Sequence, residues 1–195
     1  MENIGIYIYD DAEVLDFSGP FEVFSVASRF LKDNEKFNIF LINENQKIIK
    51  ARGGFEVNTH YTFENHPSID ILLVVGGIHT QEVEKTNVIA WIEKQAKEVK
   101  LMASVCTGAF LLAKAKVITN HKVTSHWEDI PDLKNDFPSL NVVENVRWVD
   151  EGNIITSAGI SAGIDMSLQI VSKIKNEELA IKTAKQMQFD WSKNN

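Results

Sequence analysis

The chain has one cysteine, four prolines and no excess of positive charge. A single Cys cannot close an intrachain disulfide, so the fold must hold by its core, and the thiol is left for burial or for chemistry in a reducing compartment. Twenty Lys and Arg against 27 Asp and Glu give a net charge of −7, with the basic residues scattered rather than gathered in a stripe. That balance argues against nonspecific nucleic-acid binding. No apolar run approaches the roughly 20 residues of a membrane span, and the N-terminus lacks the basic segment and cleavage site of a signal peptide. A cytoplasmic protein with no membrane partner is expected. His60, His66, His79 and His121 show no ligand spacing, and with one Cys no metal-site pattern exists. No repeat, linker or low-complexity tract interrupts the 195 residues, so a single domain over 1–195 is expected.

What is present centres on residues 100–115. Leu101 to Val105 is a short apolar run of strand length, and Phe110, Leu111 and Leu112 open an Ala- and Leu-rich helical segment. Cys106 falls at the joint. A side chain there is held up from a sheet edge beside unpaired helix N-terminal N–H groups, which favour thiolate over thiol and so predict a depressed pKa. Gly108, two residues on, lets the helix approach the strand closely. Cys-x-Gly is half of a nucleophile elbow, with Ser104 in place of the first Gly.

The rest of the chain alternates strand and helix. Asn3 to Tyr9 reads as a strand, and a helix is expected from about Pro20 to Lys32, with Asp16 just before it. Phe37 to Ile42 is a second strand, and Lys47 to Asn58 suggests a hairpin around Gly53-Gly54. Asp70 to Val75 is the continuous apolar run of a central parallel strand, followed by Gly76-Gly77. A helix from about Gln81 to Lys97 should bury Val83, Ile89, Ile92 and Ala96. Helices are expected over Asp129 to Phe137, from Ser161 or Ala162 onward, and over Glu177 to Phe189, with a frayed tail from Ser192 to Asn195. This order is an α/β signature with a mostly parallel sheet. Ligands bind such sheets at the carboxyl ends of the strands, where the segments around Asp16, Gly76-Gly77 and Cys106 would converge.

Leu15-Asp16-Phe17-Ser18-Gly19-Pro20, Gly76-Gly77, Ala103-Ser104-Val105-Cys106-Thr107-Gly108, Thr124-Ser125-His126-Trp127 and Thr156 to Asp165 span nearly the whole chain in order. Together they resemble the ThiJ/PfpI superfamily, which shares the class I glutamine-amidotransferase-like fold. The pattern is most similar to the isonitrile hydratase branch and to the ligand-binding domains of AraC-type regulators. The resemblance implies a flavodoxin-like α/β/α sandwich, a homodimer, a Cys106 nucleophile on an elbow and an acidic partner at Asp16. Peptidases and amidases of the superfamily carry a His directly after the nucleophile, whereas this chain has Thr107. His126-Trp127-Glu128 echoes the His of amidotransferases only superficially.

These residues admit a mechanism without a cofactor. The Cys106 thiolate adds to an isonitrile carbon, a neutral Asp16 protonates that carbon, and water, oriented by Thr107, hydrolyses the thioimidate to an N-substituted formamide. Gly76, Gly77 and Ile78 are expected to line the site, with an oxyanion-type N–H from Gly77 and another from Thr107, and His126 nearby in a structural role. Asp165 is read as structural, on the first turns of its helix. Competing readings are another Cys-dependent amidase, peptidase or glyoxalase-like enzyme, a small-molecule sensor, and a redox sensor working through Cys106.

Overall fold

The computed structural model describes residues 1–45 and 47–194. Eleven strands and six α-helices follow one another among those residues, and seven of the strands form one sheet. Its centre is built from β1 (Glu2–Tyr7), β6 (Ile71–Val74) and β7 (Leu101–Val105), with β2 (Phe37–Asn43) and the short β5 (Tyr61–Thr62) beyond β1. On the other side of β7 lie β11 (Ile154–Ser157) and the edge strand β10 (Trp148–Asp150). All pairings are parallel except β10 with β11. The four residues of β6 and the five of β7 are all buried, as expected of strands covered on both faces. The order β10-β11-β7-β6-β1-β2-β5 means the chain builds outward from β1 in one direction and later from β6 in the other. The crevice between the ends of β1 and β6 is the switch point where α/β sheets bind ligands.

The helices are α1 (Val14–Ser28), α2 (Thr86–Ala96), α3 (Gly108–Lys114), α4 (Ile130–Asp136), α5 (Ala162–Ile174) and α6 (Glu177–Gln186). Two small sheets complete the fold: the antiparallel hairpin of β3 (Ile48–Ala51) with β4 (Phe55–Asn58), and the parallel pair β8 (Lys122–Val123) with β9 (Asn141–Val142). The hairpin anchors the loop after β1, because the N–H of Asp11 donates to the Lys50 carbonyl at 2.8 Å and that of Arg52 to Ala12 at 3.0 Å. Gly108 keeps α3 hard against the sheet, since a Cβ there would lie 2.2 Å from the Val74 carbonyl oxygen.

Three expectations need correcting. The first helix begins at Val14, so Asp16 is inside its first turn and Pro20 in its interior. Pro20 has no N–H to give the carbonyl of Asp16, and its ring crowds that same carbonyl. The second helix is broken near Lys85 by a 3₁₀ turn over Glu82–Glu84, which shifts the phase, so that Val88, Trp91, Ile92 and Gln95 are its buried positions. The tail is tied down rather than frayed: the Ser192 N–H donates to Asp165 Oδ1 at 2.7 Å, and the Arg147 N–H to Asn194 Oδ1 at 2.9 Å. Asn195 lies outside the described residues.

Candidate active site

Four segments that follow sheet strands meet at the switch point. Cys106 leaves β7 with φ of 56°, in the left-handed region that non-glycine residues rarely adopt, and α3 begins two residues later. Such a conformation costs on the order of 1–3 kcal/mol and persists only where the surroundings enforce it. They do so here through the N–H of Cys106, which donates to Ala158 at 3.3 Å, and the Ser125 hydroxyl, which donates to the Cys106 carbonyl at 2.9 Å. Cys106 is buried, with 6 % of the residue exposed.

Asp16 is wholly buried, and its Oδ2 accepts the N–H of Gly76 at 3.0 Å. Its carboxyl also faces the Cys106 thiol and the N–H of Ile160, while Oδ1 is buried without a well-formed hydrogen bond. Burial is the dominant influence and lifts the Asp16 pKa to about 7, against the pull of the Gly76 amide. Burial also pushes the Cys106 thiol well up, reinforced by the neighbouring Asp16 and opposed by the N–H groups of Thr107 and Ile160. This overturns the expectation of a thiol depressed by a helix N-terminus, because loss of hydration and an adjacent acid outweigh those amides. The two groups form one coupled acid pair, and two adjacent anions are disfavoured in so dry a place.

The glycines act through their lack of a side chain. A Cβ on Gly76 would lie 2.5 Å from the Thr107 nitrogen and 2.8 Å from the Cys106 Cβ, so only glycine lets the end of β6 touch the elbow. The N–H of Gly77 donates to the Thr107 hydroxyl at 3.0 Å, and that hydroxyl donates back to the Gly77 carbonyl at 3.1 Å. The N–H of Ile78 is bonded to the Asp11 carbonyl at 3.1 Å. Thr107 therefore latches the β6 loop to the elbow with its only hydroxyl proton, rather than holding that proton for a water. The Gly77 amide is likewise engaged within the chain instead of free for an oxyanion.

The N–H that does face both members of the pair belongs to Ile160, which sits with φ of 54° in the loop after β11. The sequence singled out the run from Thr156 to Asp165 without assigning this amide, and a left-handed isoleucine has no local signature. His126 packs its ring against Gly159, next to Ile160, and its Nδ1 lies 3.1 Å from Asp129 Oδ2. Asp165, by contrast, is remote in role: its carboxylate holds the Arg147 guanidinium, with Nη2 at 2.6 Å. Among the described residues no cluster of His, Cys, Asp and Glu could hold a metal ion.

The comparisons with known proteins agree with this architecture. The model of the DJ-1/PfpI family matches residues 2–173. The chain belongs to that family. It is 26% identical to the isonitrile hydratase of Pseudomonas putida over 187 residues, covering 95% of this chain and 78% of the hydratase. It is 27% identical to the HTH-type transcriptional regulator CdhR of Pseudomonas aeruginosa over 173 residues, covering 89% of this chain and 51% of the regulator. The chain thus spans about half the length of such regulators. Among solved structures, a ThiJ/PfpI family protein from Pseudomonas syringae superimposes with a TM-score of 0.86 at 23% identity, over 98% of this chain and 76% of that one. Drosophila melanogaster DJ-1beta does so with a TM-score of 0.81 at 19% identity, over 97% and 99%. The relatives include proteins named as enzymes, an isonitrile hydratase and a deglycase, as well as transcriptional regulators.

Proposed function

We propose that this chain is a cysteine-dependent, isonitrile hydratase-like enzyme that adds water to a small isonitrile to give an N-substituted formamide. The observation that carries the reading is a buried carboxyl, raised to about 7, facing the thiol of the elbow cysteine. Terminal addition to an isonitrile leaves electron density on the attacked carbon, which needs a proton delivered there. A carboxylic acid still protonated near neutral pH supplies one, whereas amide cleavage needs an acid at the leaving nitrogen and the chain has Thr107 where the peptidases have His.

In the proposed sequence, the Cys106 sulfur bonds to the isonitrile carbon as its proton passes to Asp16 and Asp16 delivers a proton to that carbon, forming a thioimidate and leaving the pair with the protons it held less one. Asp16, as the carboxylate, takes a proton from an attacking water and passes it to the nitrogen as the tetrahedral adduct forms. Breaking the carbon–sulfur bond releases the formamide and returns the proton to the Asp16–Cys106 pair. The Ile160 and Thr107 amides steady the thiolate. A homodimer and a cytoplasmic location belong to the same proposal. No helix of the described residues is long and apolar enough to cross a membrane.

The test is incubation with cyclohexyl isonitrile, following formamide by chromatography and loss of the isonitrile infrared stretch. Wild-type protein should turn over and Cys106→Ser should not. Equal activity of that variant, or faster cleavage of simple amides, overturns the reading. A binding module without turnover is the second reading, supported by the 27% and 23% identical regulators. Saturable isonitrile binding with no formamide would favour it.

A further inference from the structure

The mouth of the Asp16–Cys106 pair has two features that the proposed reaction does not use. One is apolar exposure. Ile78 is 48 % exposed immediately after Gly77, Ile160 is 36 % exposed on the residue whose N–H faces the pair, and Trp127 is 73 % exposed beside His126, whose ring packs on Gly159. Large apolar side chains left open around a buried polar centre are where an apolar ligand body would lie. The other is the sign of the charge. The charged neighbours acting on the thiol are Asp16 and Asp129, and Glu13 acts on Asp16. Both outer acids have partners: Arg52 lies 4.0 Å from Glu13, half exposed to solvent, and His126 bonds Asp129. The remaining guanidinium of this region, Arg147, is neutralised by the carboxylate of Asp165 at 2.6 Å, and the same Nη2 donates to the Ser161 hydroxyl at 3.1 Å beside Ile160.

We infer that this mouth is a charge filter that admits neutral and cationic molecules with an apolar body and turns away anions, with Asp129 and Glu13 setting the sign and Ile78, Trp127 and Ile160 the apolar fit. The substrate class is then an uncharged or basic organic isonitrile rather than a carboxylated one. The inference rests on Cys106 as the reacting thiol in the proposed hydration. Its direct test needs no turnover, because Cys106 is the one thiol in the chain.

Three methanethiosulfonates that differ in charge are compared: methyl, trimethylammonium-ethyl and sulfonatoethyl. In each case the sulfur of Cys106 displaces methanesulfinate and forms a mixed disulfide, and mass spectrometry gives the rate. Each rate is divided by the same reagent's rate with a small free thiol, so the pKa of Cys106 cancels between reagents. The sulfonate should lag the other two by roughly tenfold or more. Glu13→Gln combined with Asp129→Asn should shrink that gap several-fold, and added salt should do the same. Equal or faster labelling by the sulfonate overturns the filter, and so does a Cys106 that the small neutral methyl reagent cannot reach.

The companion measurement compares isocyanoacetate with its methyl ester as substrates. A kcat/KM at least tenfold higher for the ester supports the filter, and equal values overturn it while leaving hydration intact. The charge order in labelling without any formamide would overturn the hydratase reading and leave the filter standing.

Discussion

Two aspartates occupy the same kind of position and lead opposite lives. Asp16 sits in the first turn of α1 and Asp165 in the first turn of α5, and both are buried, at 0 % and 1 % exposure. Asp165 is saturated. Its Oδ2 takes two donors of Arg147, Nε at 2.8 Å and Nη2 at 2.6 Å, and its Oδ1 takes the N–H of Ser192. The Trp191 indole N–H reaches the carbonyl of the same residue at 3.1 Å. Asp16 has a single well-formed hydrogen bond, from Gly76, and among the described residues no cation lies against it; its other neighbours are a thiol and one more amide. Burial of a carboxylate is tolerated when a cation and several donors replace water. Where they do not, the group keeps its proton, and a kept proton can be transferred. Asp165 is therefore a fastener that joins Arg147 and the C-terminal segment to α5, and Asp16 is a reservoir.

The largest effect expected from breaking this contrast is on the reservoir side. Asp16→Asn preserves an acceptor for the Gly76 amide but removes the transferable proton, so hydration of cyclohexyl isonitrile should fall by roughly 10²–10⁴-fold, with the far-UV spectrum unchanged. An undiminished rate in that variant would remove Asp16 from the chemistry. On the fastener side, Asp165→Ala strands a guanidinium and frees the tail. Stability should drop by about 2–3 kcal/mol, seen as a melting temperature lower by roughly 5–10 °C. A loss below about half a kcal/mol would show that Arg147 and Ser192 find other partners without cost.

The contrast sharpens with pH. Asp16 titrates near its ordinary value of 3.8 in the unfolded chain and at about 7 in the folded one. Between those values the folded state holds a proton that the unfolded state has released, so rising pH favours unfolding throughout that window and no longer does so above it. Asp16→Asn should abolish this slope. Its stability relative to wild type should rise from pH 4 to pH 7 by a margin on the order of 4 kcal/mol, measured by urea denaturation at each pH. A difference that stays flat across the window would mean that Asp16 is ionised in the folded protein.

The sheet was legible from the sequence because its strands are continuous apolar runs, and the run from Ile71 to Val74 reads as central in either description. The meeting of Asp16, the Gly76-Gly77 segment and Cys106 was legible too, since each follows a strand of a parallel sheet and must emerge at the same edge. Less visible was anything set by backbone orientation. That Thr107 spends its hydroxyl on Gly77, or that Ile160 turns its N–H toward the pair, depends on dihedral angles that neither residue type announces. Nor could composition weigh a helix N-terminus against burial at Cys106. The first lies one turn away in any such elbow, but the second depends on how completely the neighbouring loops close over the sulfur.

That last balance gives the smallest predicted effect, and it can be measured without a substrate. Wild-type Cys106 should react with iodoacetamide at pH 8 more slowly than glutathione does, because burial and the adjacent acid hold the thiol well above its ordinary range. Asp16→Asn removes the like charge. If the thiol pKa falls by about one unit, thiolate rises about tenfold at that pH, while the weaker nucleophilicity of a more acidic thiol takes back a factor of about three. The net gain should be roughly threefold, and Asp165→Ala, which touches nothing near the sulfur, should give none. Wild-type labelling faster than glutathione would instead place the helix amides in control of Cys106. An equal rise in both variants would mean that loosening the fold, and not the charge of Asp16, governs the thiol.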